Sequence, residues 1–524
     1  MSESGHRVAT RRSGPLADSY PAAVVLVVVA LAPYLMLTAA VLPLSTVLAT
    51  SVGLSKESFT IVLSMSDAAY AFGTVLAVQF AQHLRPRRML VRYAVLLVVA
   101  SVLAVWAPTG AVFAAGFVGQ GLCTSLLLIA AVPPLVIGWP ARKVPVTASF
   151  MNLCIFGAVA LGPTIGALLA DAKQWRPLFI AVVVSSTSTV LFALLTFQDD
   201  DPADRSAPWD IVAVVLAAVA CAAAFFGVGL LEGRLSATVA TIGPLAGGVL
   251  ALVILVIHQY RARQPLTPVR LLATTMPTVG LLTALLASAA GFGLMELLLQ
   301  YLKSVTSPLH IAALFAPEFG AAVLVAGAFG LVLPTRGIAV FALSGLVLLV
   351  ASAVVCHVIV AGGAEDLAYA ATTLIGLGLA ASVSPALFLA GLSLRSVQIQ
   401  RVFALIELLR GVAAFVTAPL LVFVVSVVGS SPQSGLQVGV WVCLLLAAGG
   451  GVVAGTTLIA GGGGLPRPDI EEWQERDNPA WISPPLFDAV RSHPRHARER
   501  GHTSAQPQRS GEEPVPAASG TRGP

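Results

Sequence analysis

The sequence predicts an all-α polytopic membrane protein with about 14 transmembrane helices. Of its 524 residues, 57% are hydrophobic and only 10% are charged, whereas soluble domains carry roughly 25% charged residues. The charges are also segregated into short tracts between apolar runs. Ten-residue segments of alternating hydrophobicity, the signature of a membrane β-barrel, are absent from the sequence.

Fourteen apolar runs come close to the roughly 20 residues that a helix needs to cross a bilayer. These spans, numbered 1–14 in chain order, are predicted at 22–46, 58–80, 89–108, 111–136, 147–170, 177–197, 210–231, 237–258, 277–300, 310–333, 337–360, 367–391, 401–426 and 436–459. The Pro108-Thr109-Gly110 turn separates spans 3 and 4, because proline next to glycine is a strong turn signal.

Basic residues favour alternate connections between the spans. Connections after even-numbered spans carry Arg85, Arg87, Arg88, Arg92, Arg142, Lys143, Arg261, Arg263, Arg270, Arg336, Arg395 and Arg401. Those after odd-numbered spans carry only Lys56, Lys173, Arg176, Arg234 and Lys303. The positive-inside rule therefore predicts that both termini are cytoplasmic. The pI near 9.1 then reflects topology, and we expect no nucleic-acid partner.

The polar segments are predicted to lie in the cytoplasm. Residues 1–20 form a disordered N-terminus, and 199–209 form an acidic linker. Residues 461–524 are rich in Pro, Arg and Glu, so we expect a disordered tail that cannot bury a core. The alternative for the start of the tail is a short interfacial helix at Glu471-Glu472-Trp473.

The sequence lacks the common signatures of enzymes and metal sites. All five cysteines, Cys123, Cys154, Cys221, Cys356 and Cys443, lie in apolar runs without metal-ligand spacing. They are interpreted as small hydrophobic residues. Walker-type GxxxxGK[ST], HExxH, CxxC and GxSxG motifs are missing. We therefore expect no enzyme activity, no cofactor and no metal site.

Span 5 carries the most specific pattern. The stretch Ser149–Phe179, SFMNLCIFGAVALGPTIGALLADAKQWRPLF, places Gly157, Gly162, Pro163 and Gly166 in one run. The spacing G-x4-G-P-x2-G resembles the fifth-helix antiporter motif of the major facilitator superfamily, in particular its fourteen-span drug/proton antiporter branch. The alternative is a generic glycine-rich packing face, since small residues let membrane helices approach closely.

Further stretches resemble the same family. Leu42-Pro43 ends the first-helix pattern, 113–122 (FAAGFVGQGL) matches the fourth-helix pattern, and 373–380 with 404–411 resemble late glycine-rich and arginine-glycine segments. The resemblance implies two six-helix halves, 21–198 and 259–460, with an inserted helix pair at 210–258. It also implies a transport site near the midplane.

Three polar motifs of the family pattern are altered. The first-helix acid falls at Tyr34, and the acid and the glycine of the loop after span 2 fall at Gln82 and Arg85. The fourth-helix arginine that the family links to proton coupling falls at Gly116. The resemblance therefore supports the fold more firmly than it supports ordinary proton antiport.

Few ionisable residues fall at membrane depth, where they are costly and point to function. Asp67 in span 2 and Glu318 in span 10 lie near the midplane and are the main proton or substrate candidates. Glu296 is a further candidate, with contact to the outer headgroups as the alternative. Glu407 and Arg410, one turn apart in span 13, are also proton or substrate candidates, with a structural ion pair as the alternative.

Uncharged polar residues in the spans are candidates for lining the pathway. They are Tyr34, Gln120, Asn152 and Gln300. The alternative is that they hold helices together by hydrogen bonds.

We therefore expect a monomeric secondary active transporter of the inner (plasma) membrane that exports a small amphipathic or cationic compound. The export would be multidrug or metabolite efflux, coupled to protons by alternating access, with the lipid bilayer as the surrounding partner. Two rivals remain: an uncoupled facilitator of the same fold, and a non-transporting membrane sensor or scaffold that acts through its tail.

Overall fold

The computed structural model describes residues 15–196, 208–234, 238–262, 265–267, 269–428, 431–462 and 467–486. These residues contain 14 helices long and apolar enough to cross a membrane, which confirms the predicted fold class. Spans 1–14 are Tyr20–Ser51, Lys56–His83, Pro86–Val105, Gly110–Ile137, Ala141–Asp171, Arg176–Thr196, Ile211–Gly233, Val239–Arg261, Thr275–Val305, Pro308–Val332, Ile338–Gly362, Glu365–Leu392, Ser396–Val428 and Pro432–Ala460. Of the acidic linker predicted at 199–209, only 208 and 209 lie within the described residues.

Span 5 is not a regular helix. A π-helical turn, Leu153–Gly157, separates the α-helical segments Val144–Asn152 and Ala158–Asp171. Such turns are rare and are frequent at functional sites, since the wider turn reorients neighbouring side chains. Here the turn brings Ile155 and Phe156 to the centre of the bundle, where they line a cavity described below.

Two prolines inside spans create anchor points between helices. Proline has no N–H, so Pro33 leaves the carbonyl of Val29 free and Pro133 leaves that of Ile129 free. The Ser185 hydroxyl donates to Val29 O at 2.6 Å, and Gln400 Nε2 donates to Ile129 O at 3.0 Å. Neighbouring helices thus satisfy the freed carbonyls, as the membrane interior requires.

The glycines of span 5 face two different neighbours. A Cβ at Gly162 would lie 2.5 Å from Ala39 Cβ, and one at Gly166 would lie within 2.5 Å of Ala40 O, both in span 1. A Cβ at Gly157 would instead lie 3.5 Å from the ring of Phe319 in span 10. Gly162 and Gly166 therefore allow spans 1 and 5 to touch, and Gly157 faces the second half of the chain.

Replacing Gly166 by Leu should prevent span 5 from packing against span 1. The new side chain would meet backbone rather than a movable side chain, and overpacking costs about 1–3 kcal/mol or more. We expect a clear loss of folded protein by fluorescence-detected size-exclusion chromatography. Gly327→Leu is the matched control, because a Cβ at Gly327 meets nothing within 4 Å. Equal yields of the two variants would contradict the packing role.

Spans 7 and 8, the inserted pair, pack against each other, and span 7 also packs against span 2. At Gly248 of span 8, a Cβ would lie 2.3 Å from the backbone nitrogen of Ala224 in span 7. On the other face of span 7, a Cβ at Gly229 would lie 3.0 Å from Ser64 Oγ and one at Gly233 would lie 3.1 Å from Glu57 Cα. The glycines of span 7 therefore hold it close to the first half of the chain.

A polar cluster around Asp210 anchors the start of span 7. Its carboxylate accepts hydrogen bonds from the Ala213 N–H at 3.0 Å, Gln259 Nε2 at 2.8 Å and His258 Nε2 at 3.1 Å. Burial alone would raise the pKa of the Asp210 carboxyl, but these hydrogen bonds lower it below its usual value. The Asp210 N–H donates to Gln79 Oε1 at 3.2 Å, so the cluster ties the pair to span 2.

Residues 467–486 pack against the ends of the spans and differ from the disordered tail expected for 461–524. A short helix, Ile470–Glu475, buries the Trp473 side chain completely. Trp473 Nε1 donates to Leu394 O at 2.8 Å, and Gln474 Nε2 donates to Ile137 O at 2.9 Å. Ile137 is the last residue of span 4 and Leu394 lies just beyond span 12, at helix ends that leave carbonyls unpaired. Composition alone does not show that Trp473 and Trp481 are buried. Nor does it show the backbone carbonyls that accept hydrogen bonds from this segment.

The segment contacts both halves of the chain on one side of the bundle. Besides Ile137 in the first half, it reaches the second half at Leu392, whose carbonyl accepts from the Ala480 N–H at 2.8 Å. The Thr275 N–H donates to Pro484 O at 3.0 Å. We call residues 467–486 the C-terminal strap.

Truncating the chain before the strap should destabilise the protein. A chain ending at residue 466 loses the buried Trp473 and its backbone bonds, so its melting temperature in detergent should fall by several degrees. A chain ending at residue 486 keeps the strap and should melt like the full-length protein. A melting temperature unchanged by the longer truncation would show that the strap does not hold the bundle.

Candidate functional site

A cavity of about 100 Å³ lies between spans 1, 2, 7, 9 and 13. Three carboxylates line it: Asp67 of span 2, Glu232 of span 7 and Glu296 of span 9. No Lys, Arg or His is among its lining residues. Its other walls are the hydroxyl-bearing Thr38 and Ser64 and the apolar side chains Ala39, Leu42, Leu63, Phe292, Met295, Ala414, Phe415, Ala418, Pro419 and Val422. The cavity therefore combines an apolar surface with concentrated acidic groups.

The three carboxylates lack protein hydrogen-bond donors. Within the described part of the chain, none of Asp67, Glu232 and Glu296 makes a hydrogen bond or a close ion pair. Lys56 and Lys303 are near enough to attract Glu232, but they lie outside the cavity lining. Buried charges are normally paired, so these groups are suited to binding a proton or a cation.

Asp67 lies between this cavity and a second one of about 20 Å³. The second cavity reaches Tyr34, Tyr70 and Arg410. A third cavity, also of about 20 Å³, shares Ile155 with the second and reaches Glu407. The three cavities follow one another along the interface between the two halves of the chain, with Asp67 near the middle.

Glu407 and Arg410 form an ion pair between the second and third cavities. Arg410 donates to Glu407 Oε2 from Nη2 at 2.5 Å and from Nε at 3.1 Å. Glu407 is 5% and Arg410 3% exposed. Arg410 also interacts with the Tyr70 hydroxyl. The two-point contact holds the guanidinium in one orientation beside these two cavities.

Tyr34 occupies the position of the first-helix acid, and its hydroxyl is held in a hydrogen bond between helices. Its hydroxyl lies 2.7 Å from Ser66 Oγ, which itself donates to Phe117 O at 3.0 Å. Because the single Ser66 proton goes to that carbonyl, the Tyr34 O–H is the donor to Ser66. Tyr34 thus joins spans 1, 2 and 4 and closes one wall of the second cavity.

Gly116, where the family pattern has an arginine, faces span 3 and not the cavities. A Cβ there would lie 2.6 Å from Ala104 N and 2.7 Å from Ala100 O, both in span 3. No side chain fits at this position. The next residue, Phe117, faces the centre instead, with its ring centroid 6.4 Å from that of Tyr34.

Glu318 is buried apart from the carboxylate-lined cavity. It is 1% exposed and packs against span 12, where a Cβ at Gly376 would lie 3.0 Å from Glu318 Cγ. Among the described residues, its Oε2 has no hydrogen-bond partner. The two main carboxylate candidates from the sequence are therefore separated, and only Asp67 lines the cavity.

The three amide candidates also lie outside that cavity. Gln120 Nε2 donates to Ser101 Oγ at 3.0 Å, which ties span 4 to span 3. Asn152 Nδ2 donates to Ala380 O at 3.1 Å, which ties span 5 to span 12 across the two halves. Gln300 Oε1 is buried without a partner in the described part of the protein.

Sequence reasoning missed Glu232, because spans 7 and 8 were interpreted only as an inserted pair and Glu232 falls at a span end. The available signal was the pattern Gly229-x3-Gly233 around it, since small residues four apart predict a close helix contact. That contact with span 2 brings Glu232 into the same cavity as Asp67.

A comparison with protein families decides the classification. The profile of the Major Facilitator Superfamily matches residues 26–418, about three quarters of the chain. The chain belongs to the major facilitator superfamily. Membership of this transporter superfamily agrees with the expectation of a transporter rather than an enzyme. The carboxylate-lined cavity lies in this superfamily fold, between the two halves.

Two of the curated relatives are named as drug exporters. The drug efflux pump JefA of Mycobacterium tuberculosis is 29% identical over 249 residues, 46% of this chain and 49% of the relative. The tetracenomycin C resistance and export protein of Streptomyces glaucescens is 24% identical over 263 residues, 50% of this chain and 49% of the relative. The chain thus spans about half the length of these curated relatives.

Solved structures show the same fold at low identity. The human organic anion transporter MFSD10 (TETRAN) matches with a TM-score of 0.55 and 15% identity, covering 82% of this chain and 99% of that one. A peptide transporter POT in complex with sulfate matches with a TM-score of 0.57 and 14% identity, covering 83% and 94%.

Proposed function

We propose that the protein is a proton-coupled exporter of small amphipathic cations in the plasma membrane. The carboxylate-lined cavity between the two halves carries this proposal. Its apolar walls suit an aromatic or aliphatic body, and its acidic groups without partners suit a positive charge. Two relatives carry the names of drug exporters, which supports export of a small compound.

Asp67 is the carboxylate that exchanges a proton for substrate in this proposal. Removing a carboxylate from water favours its neutral form unless a cation is near, so proton and cationic substrate compete for the same group. Asp67 is also the carboxylate that two consecutive cavities share. A proton released there has a route along Tyr70 and the Glu407–Arg410 pair toward the predicted cytoplasmic side.

The contacts between the halves define what must move for alternating access. On the predicted cytoplasmic side the halves are joined by Gln400 Nε2 to Ile129 O and by the C-terminal strap. On the predicted outer side Lys303 Nζ donates to Leu42 O at 2.6 Å. Opening toward the cytoplasm breaks the first set of contacts, and opening outward breaks the Lys303 bond.

An uncoupled facilitator is the second candidate. Gly116 has no room for a side chain and Tyr34 is held by Ser66, so neither of these positions offers a titrating group. A sensor or scaffold acting through the tail is a third candidate. It is tested by deleting 487–524, which spares the strap; a transporter should keep moving substrate after this deletion.

A substrate screen in an efflux-deficient bacterial host tests the proposed substrate class. Expression should lower the accumulation of lipophilic cations such as ethidium and tetraphenylphosphonium, and raise resistance to them. Neutral and anionic compounds of similar size should be unaffected. Export of anions but not cations would contradict the proposal, because carboxylates in the cavity would repel anions.

The proposed orientation places both termini in the cytoplasm. Single cysteines near Lys173, Arg234 and Lys303 should react with an impermeant maleimide added outside cells. Cysteines near Arg87, Arg263 and Arg395 should react only after permeabilisation. Labelling of positions 234 and 263 from the same side would contradict the orientation and the inserted hairpin.

A further inference from the structure

Span 7 brings the inserted helix pair, as a third structural unit, to the carboxylate-lined cavity. It reaches span 2 through Gly229 and Gly233, which bracket Glu232 in the sequence. It also contacts span 13 of the second half. Glu232 consequently faces the same cavity as Asp67 of the first half and Glu296 of the second.

We propose that Glu232 determines specificity by binding a second cationic centre of the substrate, so that dications are preferred. This inference rests on the proposed export of cations. It assigns the inserted helix pair a direct part in substrate recognition. Asp67, near the middle of the pathway, holds the first positive charge, and Glu232, nearer the predicted outer end, holds the second.

The charge distribution around the cavity supports two cationic subsites. Three carboxylates line the cavity without a cationic side chain among them. Lys303, which attracts Glu296 and Glu232, donates to the carbonyl of Leu42 and is not among the cavity-lining residues. Lys56 is exposed to solvent, which screens its attraction for Glu232. A monovalent ligand can therefore pair with one of the three carboxylates, whereas a dication can pair with two.

An unpartnered hydroxyl gives an independent indication of a ligand. Ser64 lines the cavity beside Gly229 and is only 5% exposed. Hydroxyl groups in membrane helices commonly donate to a carbonyl of their own helix. Among the described residues, however, the Ser64 hydroxyl has no hydrogen-bond partner. A hydroxyl that faces a cavity without a protein partner marks a place where a polar ligand group or its water is accommodated.

The test compares a dication with a monocation in proteoliposomes. Dequalinium carries two positive charges and tetraphenylphosphonium carries one. Glu232→Gln keeps the shape of the side chain and removes its charge, so dequalinium transport should fall about tenfold while tetraphenylphosphonium transport changes by less than about twofold. Glu232→Asp keeps the charge and should retain most dequalinium transport. Glu365→Gln, the same change at the predicted outer end of span 12, is the matched control.

Each outcome bears on the inference. An equal loss for both compounds in Glu232→Gln, or no loss for either, would overturn the role of Glu232. Wild-type protein that moves tetraphenylphosphonium but not dequalinium would overturn it too and leave the proposed function intact. Wild-type protein that moves neither compound would overturn the proposed function and this inference with it. Monodisperse elution of every variant by size-exclusion chromatography establishes that the comparison is between folded proteins.

Discussion

Asp67→Asn abolishes substrate-driven proton movement in proteoliposomes if Asp67 is the exchanging carboxylate. The substitution keeps the size of the side chain and removes the only group shared by the first two cavities that can carry a proton. We expect uphill transport to fall by about tenfold or more, as for removal of an interaction that the transport cycle requires. The measurement is substrate-induced alkalinisation or acidification followed with a pH-sensitive dye trapped inside the vesicles.

Glu318→Gln is the matched control for this result. Glu318 is also a buried carboxylate, and the sequence predicts it at a similar membrane depth to Asp67. It packs against span 12 instead of lining the cavity. Proton movement should persist in this variant. Loss of coupling in Glu318→Gln with normal coupling in Asp67→Asn would transfer the role to Glu318 and contradict the assignment made from the cavity.

The second large effect is expected at the buried ion pair. Glu407→Gln leaves the Arg410 guanidinium buried without its carboxylate, and breaking one side of such a pair costs about 3–5 kcal/mol. We expect a strong loss of folded protein, measured as the monodisperse fraction after solubilisation and as the melting temperature. Asp67→Asn provides the comparison, since Asp67 has no such partner in the described structure and its loss should leave the yield nearly unchanged.

A double variant separates the pairing from the charge itself. Glu407→Gln combined with Arg410→Gln removes both charges and leaves two neutral groups able to bond each other. Folded protein should recover at least in part, because removing a whole buried pair is far less costly than removing half of it. No recovery in the double variant would mean that Arg410 is needed for more than its pairing with Glu407.

The sequence predicted the spans well because the bilayer imposes a simple rule on length and polarity. Each of the 14 predicted runs overlaps one helix of the structure, and boundaries differ by a few residues. A helix can begin before its apolar run when a polar residue caps its first turn. Ser55 is such a cap for span 2, since its hydroxyl accepts from the Ser58 N–H. The π turn in span 5 left no comparable signal.

The candidate site was predictable only in part, since a sequence gives depth in the membrane but not helix rotation. Depth selected Asp67 and Glu318 equally, and rotation places only Asp67 in the cavity. Rotation also turns Gly116 toward span 3. Glu232 was missed because a carboxylate at a span end is ordinarily interfacial, and only the packing of span 7 against span 2 brings it inward.

The C-terminal strap shows a different limit of composition. Residues 467–486 contain too few apolar residues to form a core by themselves, yet Trp473 fills a site provided by the rest of the chain. Such a segment is ordered by its contacts with backbone acceptors at the ends of distant helices. Local composition carries no information about those acceptors.

The central claim, exchange of protons for a cation, is tested most directly with wild-type protein in proteoliposomes that are acidic inside. The membrane potential is clamped at zero with potassium and valinomycin, and tetraphenylphosphonium is supplied outside at low concentration. Antiport predicts accumulation above the external concentration, and collapse of that accumulation when a protonophore dissipates the pH gradient. Uptake that stops at the external concentration, with or without the gradient, would contradict antiport and establish an uncoupled facilitator.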